Sequence, residues 1–498
     1  MPRASHATTA TLLVALLAPA GAAAQPDPPV PSAEEFRPGA PSVAPEPPTA
    51  TRSCSDELLA VRQRIDAFEE DGPGLNALVS EPSEVLEPGE AATAPSGSPL
   101  ACVPVAIKDN VAVRGVATTA GSHLLEDAVA EEDATLVQRL RDAGALVVAT
   151  TNMDDFAHGG AGGRSSVAGQ TRNPYDLDQP PGSSSAGSAV AVAAGYAAAA
   201  IGTDTGGSVR LPAAANRLVG VKPTLDRVPL DGVVPFAASF DVAGPLTRTV
   251  WDAAVVLDVI ADTGTTHRDA VRSGELSEVR IGVPAGSLDT DPGRRMRADL
   301  EAAGARIVDL PAFDPGLLAT LQDAYRLISG TEFADGLSDH LATLPDGTAA
   351  TSFDAVVQDA QRPNSPVASV VASRFASAAA RPGPDAPAYQ DAQQEAPAAA
   401  RAAIDELLEA HDVAAIAHDG EPLLASVSGY PEVVVPAGGT APEGAALHLL
   451  GASGADAPLL GYAAAYERVR PDVIPPSLTP FDGTGPEGIR EPGTAATR

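Results

Sequence analysis

Apolar and polar positions along the chain predict helices and strands that alternate. From Asp56 to Phe68 the apolar residues recur at helical spacing, and Ser55 is available to cap this first helix. The apolar run VPVAI at 103–107 is short and continuous, which is typical of a buried strand. We therefore expect the folded region to begin with a helix and to continue into a sheet.

The same alternation continues through the middle of the chain. Asp133 can cap the helix ATLVQRLRDAG, Gly144 can end it, and ALVVAT follows as a buried strand. The segment 316–410 has a mainly helical pattern. Further helices are predicted after residue 185, at 249–262 and near 296–304, and further strands in VRIGVPAG and RIVDL. This order predicts an α/β fold with mixed layering around a sheet.

The first 24 residues have the layout of a secretory signal peptide. Arg3 precedes an apolar stretch, and the small residues at 22–24 form a stop before Gln25. The apolar segment 10–24 has only 15 residues, whereas a membrane-spanning helix needs roughly 20. We expect secretion after cleavage near Ala24, with retention as a membrane anchor as the weaker alternative.

Composition separates one folded region from two loose ends. Residues 25–52 are dense in proline and alanine, and residues 471–498 are rich in proline and glycine. Such compositions stay extended and do not form a core. We therefore place one folded domain at 53–470, between a linker and a loose tail.

Net charge narrows the range of partners. The chain has 498 residues, of which 44% are hydrophobic, enough to bury a large core. Its 65 acidic residues against 32 basic ones give a formal net charge of −33. Nucleic acid and anionic membrane surfaces would be repelled, so we expect neither as a partner. The acidic excess is interpreted as a solvated surface.

Cys54 and Cys102 are the only cysteines in the sequence. After export they would meet an oxidising compartment, where a disulfide between them would close a long loop. The chain-entropy model gives about 4 kcal/mol for that closure. Two buried free thiols are the alternative, so the sequence leaves both states open.

The sequence contains two lysines, Lys108 and Lys222, although arginine is plentiful. Lys108 ends the apolar run VPVAI, where burial would lower its pKa and let the neutral amine act as a base. The alternative for Lys108 is a structural ion pair with the adjacent Asp109. Lys222, which precedes Pro223, is interpreted as structural.

Two serine-containing segments are further candidates for chemistry. In GTDTGGSVRLP, Ser208 follows Thr205, Gly206 and Gly207, whose backbone N–H groups could converge on an oxyanion. The same residues are also ordinary turn material. The cluster PPGSSSAGSA leads into an Ala-rich helix, where serines commonly act as caps. Taken singly, neither segment identifies an active site.

Other hydrolase and nucleotide-binding patterns are missing from the sequence. It contains no GxSxG elbow and no HExxH motif, and its eight histidines show no ligand spacing. Neither lysine is followed by the Ser or Thr that a P-loop requires. We therefore expect no metal and no cofactor.

Eight segments, in order along the chain, resemble the amidase signature family. They are PLACVPVAIKDN, TTAGS, TNMDDFA, SSVAGQTRNPYD, PPGSSSAGSA, GTDTGGSVRLPA, VGVKPT and FDVAGPLTRTVWDAA. The resemblance covers a signature core at about 100–262, is looser over a variable helical region at about 263–412, and returns in SGYPEVVVPAG at 428–438. It implies the family's fold, a mixed central sheet covered by helices on both faces.

The family uses a Ser, cis-Ser, Lys triad. The resemblance therefore implies Ser208 as nucleophile, Ser184 as bridging serine and Lys108 as base. Aligning SSSAGSA with the family's GSSGGSA selects Ser184, 24 positions before Ser208. Ser183 and Ser185 are then neighbours of the proton relay and not members of it.

The resemblance also assigns roles around the nucleophile. The backbone N–H groups of Thr205, Gly206 and Gly207 would bind the oxyanion of the substrate. Asp204 and Arg210 match family positions that we expect to brace the nucleophile loop. The implied reaction is hydrolysis of a linear carboxamide to a carboxylate and ammonia or an amine, through an acyl-enzyme and without a metal.

Several functions are compatible with this resemblance. The serine-rich segments SSVAGQTRNPYD and GSSSAGSA are most similar to the peptide-amidase type, which removes the terminal amide of peptides. One alternative is an A-type subunit of an amidotransferase for transfer-RNA-linked amidation, against which the signal peptide argues. Another is an inactive secreted binding protein on an amidase scaffold, against which the retained triad argues.

The chain departs from the family pattern at five positions. Cys102, Ala186 and Asp226 stand where glycine is usual, and Asp154 and Asp155 stand where Ser-Glu is common. These positions belong to turns and pocket walls and not to the triad. We expect the departures to affect the choice of substrate more than catalysis.

Overall fold

The computed structural model describes residues 53–70, 72–86, 98–160, 162–262, 264, 266–344, 348–420, 422–439 and 444–476. The predicted signal peptide, the predicted linker and most of the predicted tail lie outside the described residues. Within the described part, no helix is both long enough and apolar enough for a membrane crossing.

Most of the strands belong to one large mixed sheet. In chain order the strands are β1 (Leu78–Ser80), β2 (Pro104–Lys108), β3 (Leu146–Thr151), β4 (Arg164–Ser165), β5 (Gly169–Gln170), β6 (Ala199–Asp204), β7 (Val219–Lys222), β8 (Val242–Thr247), β9 (Arg280–Pro284), β10 (Arg306–Leu310), β11 (Ala415–His418), β12 (Glu432–Pro436) and β13 (Ala446–Leu450). Eleven of them form the sheet, in the order β1-β3-β2-β6-β8-β7-β12-β13-β11-β9-β10, while β4 and β5 form a separate hairpin.

Helices cover the sheet. They are α1 (Cys54–Ile65), α2 (Pro82–Val85), α3 (Thr135–Asp142), α4 (Ala186–Ala193), α5 (Arg210–Ala215), α6 (Val250–Ile260), α7 (His267–Ser273), α8 (Asp291–Ala302), α9 (Pro315–Thr343), α10 (Phe353–Ala360), α11 (Ser369–Ala379), α12 (Pro387–Ala410), α13 (Pro422–Ser428) and α14 (Asp456–Glu467). A π-helical turn at Asp66–Glu70 and 3₁₀ turns at His123–Leu125 and Asp155–Ala157 complete the set. The α/β class and the mixed sheet predicted from the sequence are confirmed.

The predicted cap of α1 is wrong by two residues. Ser53, not Ser55, caps this helix: its hydroxyl accepts a hydrogen bond from the Asp56 N–H at 3.2 Å, and the Asp56 carboxylate accepts one from the Ser53 N–H. Two serines so close together in the chain compete for the same role, and the sequence pattern does not separate them.

The predicted cap of α3 is also wrong. Ala134 stands at the cap position, and it has no side-chain group that could accept a hydrogen bond. The Asp133 carboxylate is bonded instead to the Arg114 N–H at 2.8 Å and to Arg141 at 3.1 Å. Asp133 therefore fixes a neighbouring loop and the end of α3, and not its beginning.

Alternate residues of the central strands enter different cores. On β2, Val105 and Ile107 pack into a cluster with α3, α6 and α14, whereas Ala106 packs into a second cluster with α1, α4 and α5. Side chains alternate between the two faces of a strand, so both faces of β2 are covered by helices. The structure therefore has helices on both faces of the sheet, as the resemblance implied.

A disulfide joins Cys54, the first residue of α1, to Cys102, which precedes β2. The two Cα atoms are 4.8 Å apart, within the usual range for a disulfide. Of the two states that the sequence left open, the structure has the bonded one. The bond attaches the amino-terminal helix to the strand that carries Lys108.

Candidate active site

The site is built at the carboxyl ends of two parallel strands. Lys108 is the last residue of β2 and Asp204 the last residue of β6, and Ile107 is paired in register with Ile201. Parallel strands end at the same edge of a sheet, so the loops that follow them meet. The loop after β6 carries Ser208, which leads into α5.

The backbone of the loop that carries Ser208 is held by the buried carboxylate of Asp204. Asp204 accepts hydrogen bonds from the N–H groups of Gly207 at 2.8 Å, Val209 at 2.9 Å and Arg210 at 3.3 Å. Gly207 has φ of 114°, a conformation that side-chain-bearing residues rarely adopt. This explains why a glycine is required immediately before Ser208.

Arg210 completes the brace from α5. Its guanidinium bonds both oxygens of Asp204, at 3.0 and 3.1 Å, and the carboxylate of Glu432 on β12 at 3.0 Å, and all three side chains are fully buried. Burial alone would raise the pKa of Asp204, but Arg210 outweighs it and holds that pKa below its ordinary value. Asp204 and Arg210 thus brace the nucleophile loop as predicted.

The loop that carries Ser183 and Ser184 is positioned by the close approach of Gly187 to Asn152. Gly187, in the first turn of α4, donates its N–H to the Asn152 carbonyl at 3.0 Å, and a Cβ at residue 187 would collide with that oxygen. The contact holds the start of α4 against the end of β3. Ser184, two residues before α4, is fully buried as a result.

The structure brings Lys108 and Ser184 together. The Lys108 Nζ lies 2.8 Å from the Ser184 Oγ and 2.7 Å from the Thr203 Oγ1. The Asp109 carboxylate instead accepts the hydroxyl of Thr119 and the N–H of Gly121. The structural pair between Lys108 and Asp109, considered from the sequence, is therefore not formed.

Burial changes the charge of Lys108. Its side chain has no solvent exposure, and loss of hydration lowers its pKa from the ordinary 10.5 to about 7, although Asp154, Asp204 and Asp241 oppose the change. A large fraction of the molecules then carries a neutral amine near neutral pH. A neutral amine can accept a proton from Ser184 while it donates to Thr203.

Thr203 is a part of this arrangement that the sequence did not identify. Its hydroxyl receives hydrogen bonds from Lys108 and from the Asn110 side chain, the latter at 3.1 Å. Thr203 lies in β6, next to β2 in the sheet. Its position inside a strand gave no local signal, because only the pairing of β2 with β6 places it beside the lysine.

Ser208 is buried, with 9% of its surface exposed, and the partner of its hydroxyl differs from the one expected. The Ser208 Oγ lies 3.0 Å from the Ser183 Oγ, where either hydroxyl can donate. From the sequence, Ser183 was expected to neighbour the relay without joining it. Ser183 and Ser184 are consecutive, so one short loop contacts both Ser208 and Lys108.

The three predicted oxyanion-binding residues do not have equivalent surroundings. The Gly207 N–H is already bonded to Asp204. Among the described residues, the N–H groups of Thr205, Gly206 and Ser208 have no acceptor. The Thr205 hydroxyl donates to Asp241 at 2.5 Å, and the Tyr325 hydroxyl lies against the Cα of Gly206.

One buried group of side chains has the composition of a metal site. His418 on β11, Glu432 on β12 and His448 on β13 offer ligand atoms within 4.8 Å of one another. The Glu432 carboxylate is bonded by His448 at 2.5 Å and by Arg210 at 3.0 Å. Its oxygens are thus engaged by a permanent cation and a histidine, which fits an ion-pair network better than a divalent metal.

The histidines of this group were missed in the sequence for a simple reason. Residues 418 and 448 are 30 positions apart, but they are directly paired across antiparallel strands β11 and β13. Burial lowers the pKa of His418 to about 4, so its ring is neutral at pH 7. No local ligand spacing could reveal this pairing.

In this site Lys108 contacts Ser184, and Asp204 holds the loop that carries Ser208. A comparison with protein families agrees with this geometry. The family model described as Amidase matches residues 59–423. The chain belongs to the amidase family. Its 11-stranded mixed sheet is the amidase-signature fold, as the resemblance implied.

Solved structures extend the likeness over most of the chain. The peptide amidase from Stenotrophomonas maltophilia is 32% identical, with a TM-score of 0.78, and the match covers 86% of this chain and 96% of that one. The A-type subunit of glutamyl-tRNA(Gln) amidotransferase from Thermotoga maritima is 26% identical, with a TM-score of 0.65, over 86% of this chain and 95% of that one.

The curated relatives match a shorter stretch. The A-type subunit of glutamyl-tRNA(Gln) amidotransferase from Symbiobacterium thermophilum is 45% identical over 261 residues, which are 48% of this chain and 52% of that protein. The chain thus spans about half the length of this curated relative. The comparisons establish membership of the amidase family and leave the reaction, the substrate and the partners to be proposed.

Two departures from the amidase family pattern have a conformational explanation. Cys102 has φ of 60° and Asp226 has φ of 63°, so both occupy the left-handed region where glycine has no steric cost. At a third departure, the methyl group of Ala186 fills the space beside Gly163, which has no side chain. The usual glycines at 102 and 226 therefore reflect backbone geometry and not chemistry.

Proposed function

We propose that this amidase-family protein hydrolyses the carbon–nitrogen bond of a linear carboxamide through an acyl-enzyme on Ser208. The observation that carries the proposal is the fully buried Lys108 amine, with its pKa lowered to about 7, at 2.8 Å from the Ser184 hydroxyl. A buried neutral amine on a serine hydroxyl is a base at the start of a proton relay.

The proposed reaction uses each of the three residues in turn. The Ser208 oxygen attacks the amide carbonyl as its proton passes to Ser184, whose own proton passes to Lys108. The N–H groups of Thr205 and Gly206 stabilise the negative charge on the carbonyl oxygen. The proton returns through Ser184 to the leaving nitrogen, and ammonia or an amine departs.

Water then completes the cycle. It attacks the acyl carbon while Lys108, again neutral, takes one of its protons through Ser184. The tetrahedral intermediate then collapses, that proton returns through Ser184 to the Ser208 oxygen, and the released carboxylic acid gives its remaining proton to solvent and leaves as the carboxylate. No metal is needed to polarise the carbonyl in this scheme, because backbone N–H groups supply the charge stabilisation.

A peptide-amide substrate is the specific form of the proposal for a free enzyme. It is supported by the likeness to the peptide amidase over 96% of that chain and by the signal-peptide layout at 1–24. The test is release of ammonia from a panel of peptide, fatty and aryl amides by the purified mature chain. Ser208→Ala is the control, and equal turnover by both proteins would overturn the proposal.

An amidotransferase A-type subunit is the second candidate. The names of the curated relatives and the Thermotoga maritima structure support this role, and they support it better than they support a free secreted amidase. The two roles differ in location. A mature protein that begins near Gln25 in culture fluid would exclude the transfer-RNA-linked role, whereas an uncleaved chain in a stable complex with partner subunits would exclude secretion.

An inactive binding protein on the same scaffold is the remaining possibility that the sequence raised. The contact between Lys108 and Ser184 and the braced Ser208 loop argue against it, because a binding protein has no need of a buried amine. Ammonia release that depends on Ser208 would exclude it.

A further inference from the structure

A pocket of about 490 Å³ lies between α9 and α11. Its lining includes three arginines, Arg326, Arg374 and Arg381, and, in the part of the chain that the structure describes, no aspartate or glutamate. His158, Phe236 and Tyr325 supply aromatic walls. Its residues come from the variable region, from the loop after β3 and from the loop before β8.

The pocket adjoins the nucleophile along two walls. Tyr325 contacts the Cα of Gly206, two residues before Ser208. Arg374 donates to the carbonyl of Gly159, and the Cα of Gly159 faces the Ser183 hydroxyl, which is 3.0 Å from the Ser208 Oγ. A substrate that reaches Ser208 therefore has this pocket beside it.

Two of the three arginines of the pocket have no carboxylate partner among the described residues. Among the described residues, no carboxylate lies within ion-pair distance of Arg374 or Arg381, and the carboxylate nearest to Arg326 is the exposed Asp323 at 3.8 Å. The whole chain has a net charge of −33, so a pocket with three guanidinium groups, only one of which is paired, differs in charge from the protein as a whole. The arrangement is suited to an anionic ligand.

The remaining polar groups of the lining do not alter this charge balance. Burial lowers the pKa of His158 to about 3, so its ring is neutral and neither adds to nor cancels the positive charge. Burial raises the pKa of Tyr325 well above its ordinary value, so its hydroxyl stays protonated and can donate. The pocket thus offers hydrogen-bond donors and cationic groups to the charged end of a ligand, and aromatic rings to its apolar part.

We propose that this pocket binds a carboxylate carried by the amide substrate, away from the bond that is cleaved. The inference rests on the proposed amide hydrolysis and names its substrate class: amides with a negatively charged remote end. Guanidinium groups match carboxylates in paired hydrogen bonds, which adds orientation to attraction. Phe236 and Tyr325 contact the linking carbons, and Arg374 and Arg381 hold the carboxylate.

Binding to the Ser208→Ala protein tests the pocket independently of turnover. The probes are N-acetyl-glutamyl-glycinamide and N-acetyl-glutaminyl-glycinamide, which differ only in charge, and calorimetry measures their dissociation constants. We expect at least about tenfold tighter binding of the glutamyl probe, decreasing with salt. The preference should be lost in Arg374→Gln/Arg381→Gln and kept in Arg62→Gln, an exposed arginine of α1 outside the pocket.

Arg381→Gln alone provides a second variant, because Arg374 also bonds the Gly159 carbonyl and its loss could disturb that loop. Equal binding of the two probes, or a preference that survives in folded Arg381→Gln and in the double variant, would overturn the inference. Ammonia release from neutral peptide amides by the unmodified protein tests hydrolysis itself. Turnover without a charge preference in binding would contradict only the role proposed for the pocket. Charge-selective binding without any turnover would support that role and contradict the proposed hydrolysis.

Discussion

The regions around Lys108 and Lys222 are alike in burial and different in chemistry. Both lysines end a strand, β2 and β7, and both are fully buried. Burial lowers the pKa of Lys108 to about 7 and that of Lys222 to about 8. Two buried lysines with lowered pKa values therefore lie in one sheet, and burial alone does not distinguish the base.

The acceptors distinguish the two lysines. Lys108 contacts the hydroxyls of Ser184 and Thr203, whereas Lys222 donates to the backbone carbonyls of Pro223 at 3.3 Å and Tyr430 at 3.0 Å. A hydroxyl can both donate and accept, so a proton can pass through it, but a carbonyl only accepts. Lys222 is thus held in a structural role, as the sequence indicated.

The largest expected effect is the difference in activity between variants in which one or the other lysine is replaced by methionine. Lys108→Met should lower kcat for amide hydrolysis by about 10³-fold or more, because it removes the base from the relay. Lys222→Met should leave the kcat of the folded protein within a few-fold of the original. Its unfolding free energy should fall by about 1–3 kcal/mol, because two buried carbonyls lose their donor.

Ammonia release and urea unfolding, measured on the same preparations, check this contrast. Circular dichroism establishes that Lys108→Met is folded. Full activity in folded Lys108→Met, or loss of activity in folded Lys222→Met, would reverse the roles given to the two lysines.

The next largest expected effect concerns Ser183 and Ser184, the two serines near Lys108 and Ser208. Ser184→Ala should lower kcat by about 10²-fold to 10⁴-fold, because the hydroxyl that contacts Lys108, and that relays the proton in the proposed reaction, is lost. Ser183→Ala should lower kcat by less than about tenfold, because its contact with Ser208 lies outside the path to Lys108. Steady-state kinetics on the two matched variants measures the difference.

The opposite order of effects would assign the proton relay to Ser183 and not to Ser184. If Ser183→Ala were the more damaging substitution, the 3.0 Å contact between Ser183 and Ser208 would be the productive one. The register of the serine cluster taken from the family resemblance would then be wrong by one residue.

The pH dependence is a third, smaller effect. Lys108 acts as a base only when neutral, and its pKa is about 7. Below that pH the ammonium form accumulates, so kcat/KM should fall about tenfold for each further pH unit, and it should level off above pH 7. A profile measured with an uncharged amide checks this, and constant kcat/KM from pH 5 to 8 would contradict a neutral lysine base.

The smallest effect lies close to Lys222, in the turn that follows β7. Asp226 is exposed and has φ of 63°, so Asp226→Gly should raise the unfolding free energy by about 0.5–1 kcal/mol and leave kcat unchanged. Asp231→Gly, at an exposed aspartate without a positive φ, is the control and should not stabilise. A lowered urea midpoint in Asp226→Gly would show that the side chain matters more than the backbone.

Secondary structure and the local motifs were largely predictable. The strand before Lys108, the helix and strand around Gly144, and the Ala-rich helix after the serine cluster follow from periods of apolar residues within ten or so positions. The bracing of Ser208 by Asp204 also falls within five positions, and the family resemblance indicated it correctly. Helix caps were less predictable, because two nearby serines could cap α1 and because α3 begins after an alanine that has no side-chain acceptor.

The sequence by itself determined the family, the elements and the residue types available for chemistry, since these depend on contacts between near neighbours in the chain. The tertiary structure decided which of them meet. Strand pairing placed Thr203 beside Lys108 and His418 beside His448, and the packing of α9 and α11 gathered three arginines around one pocket. The physical reason is that hydrogen bonds and charges act over a few ångströms of space, whatever the number of residues between them.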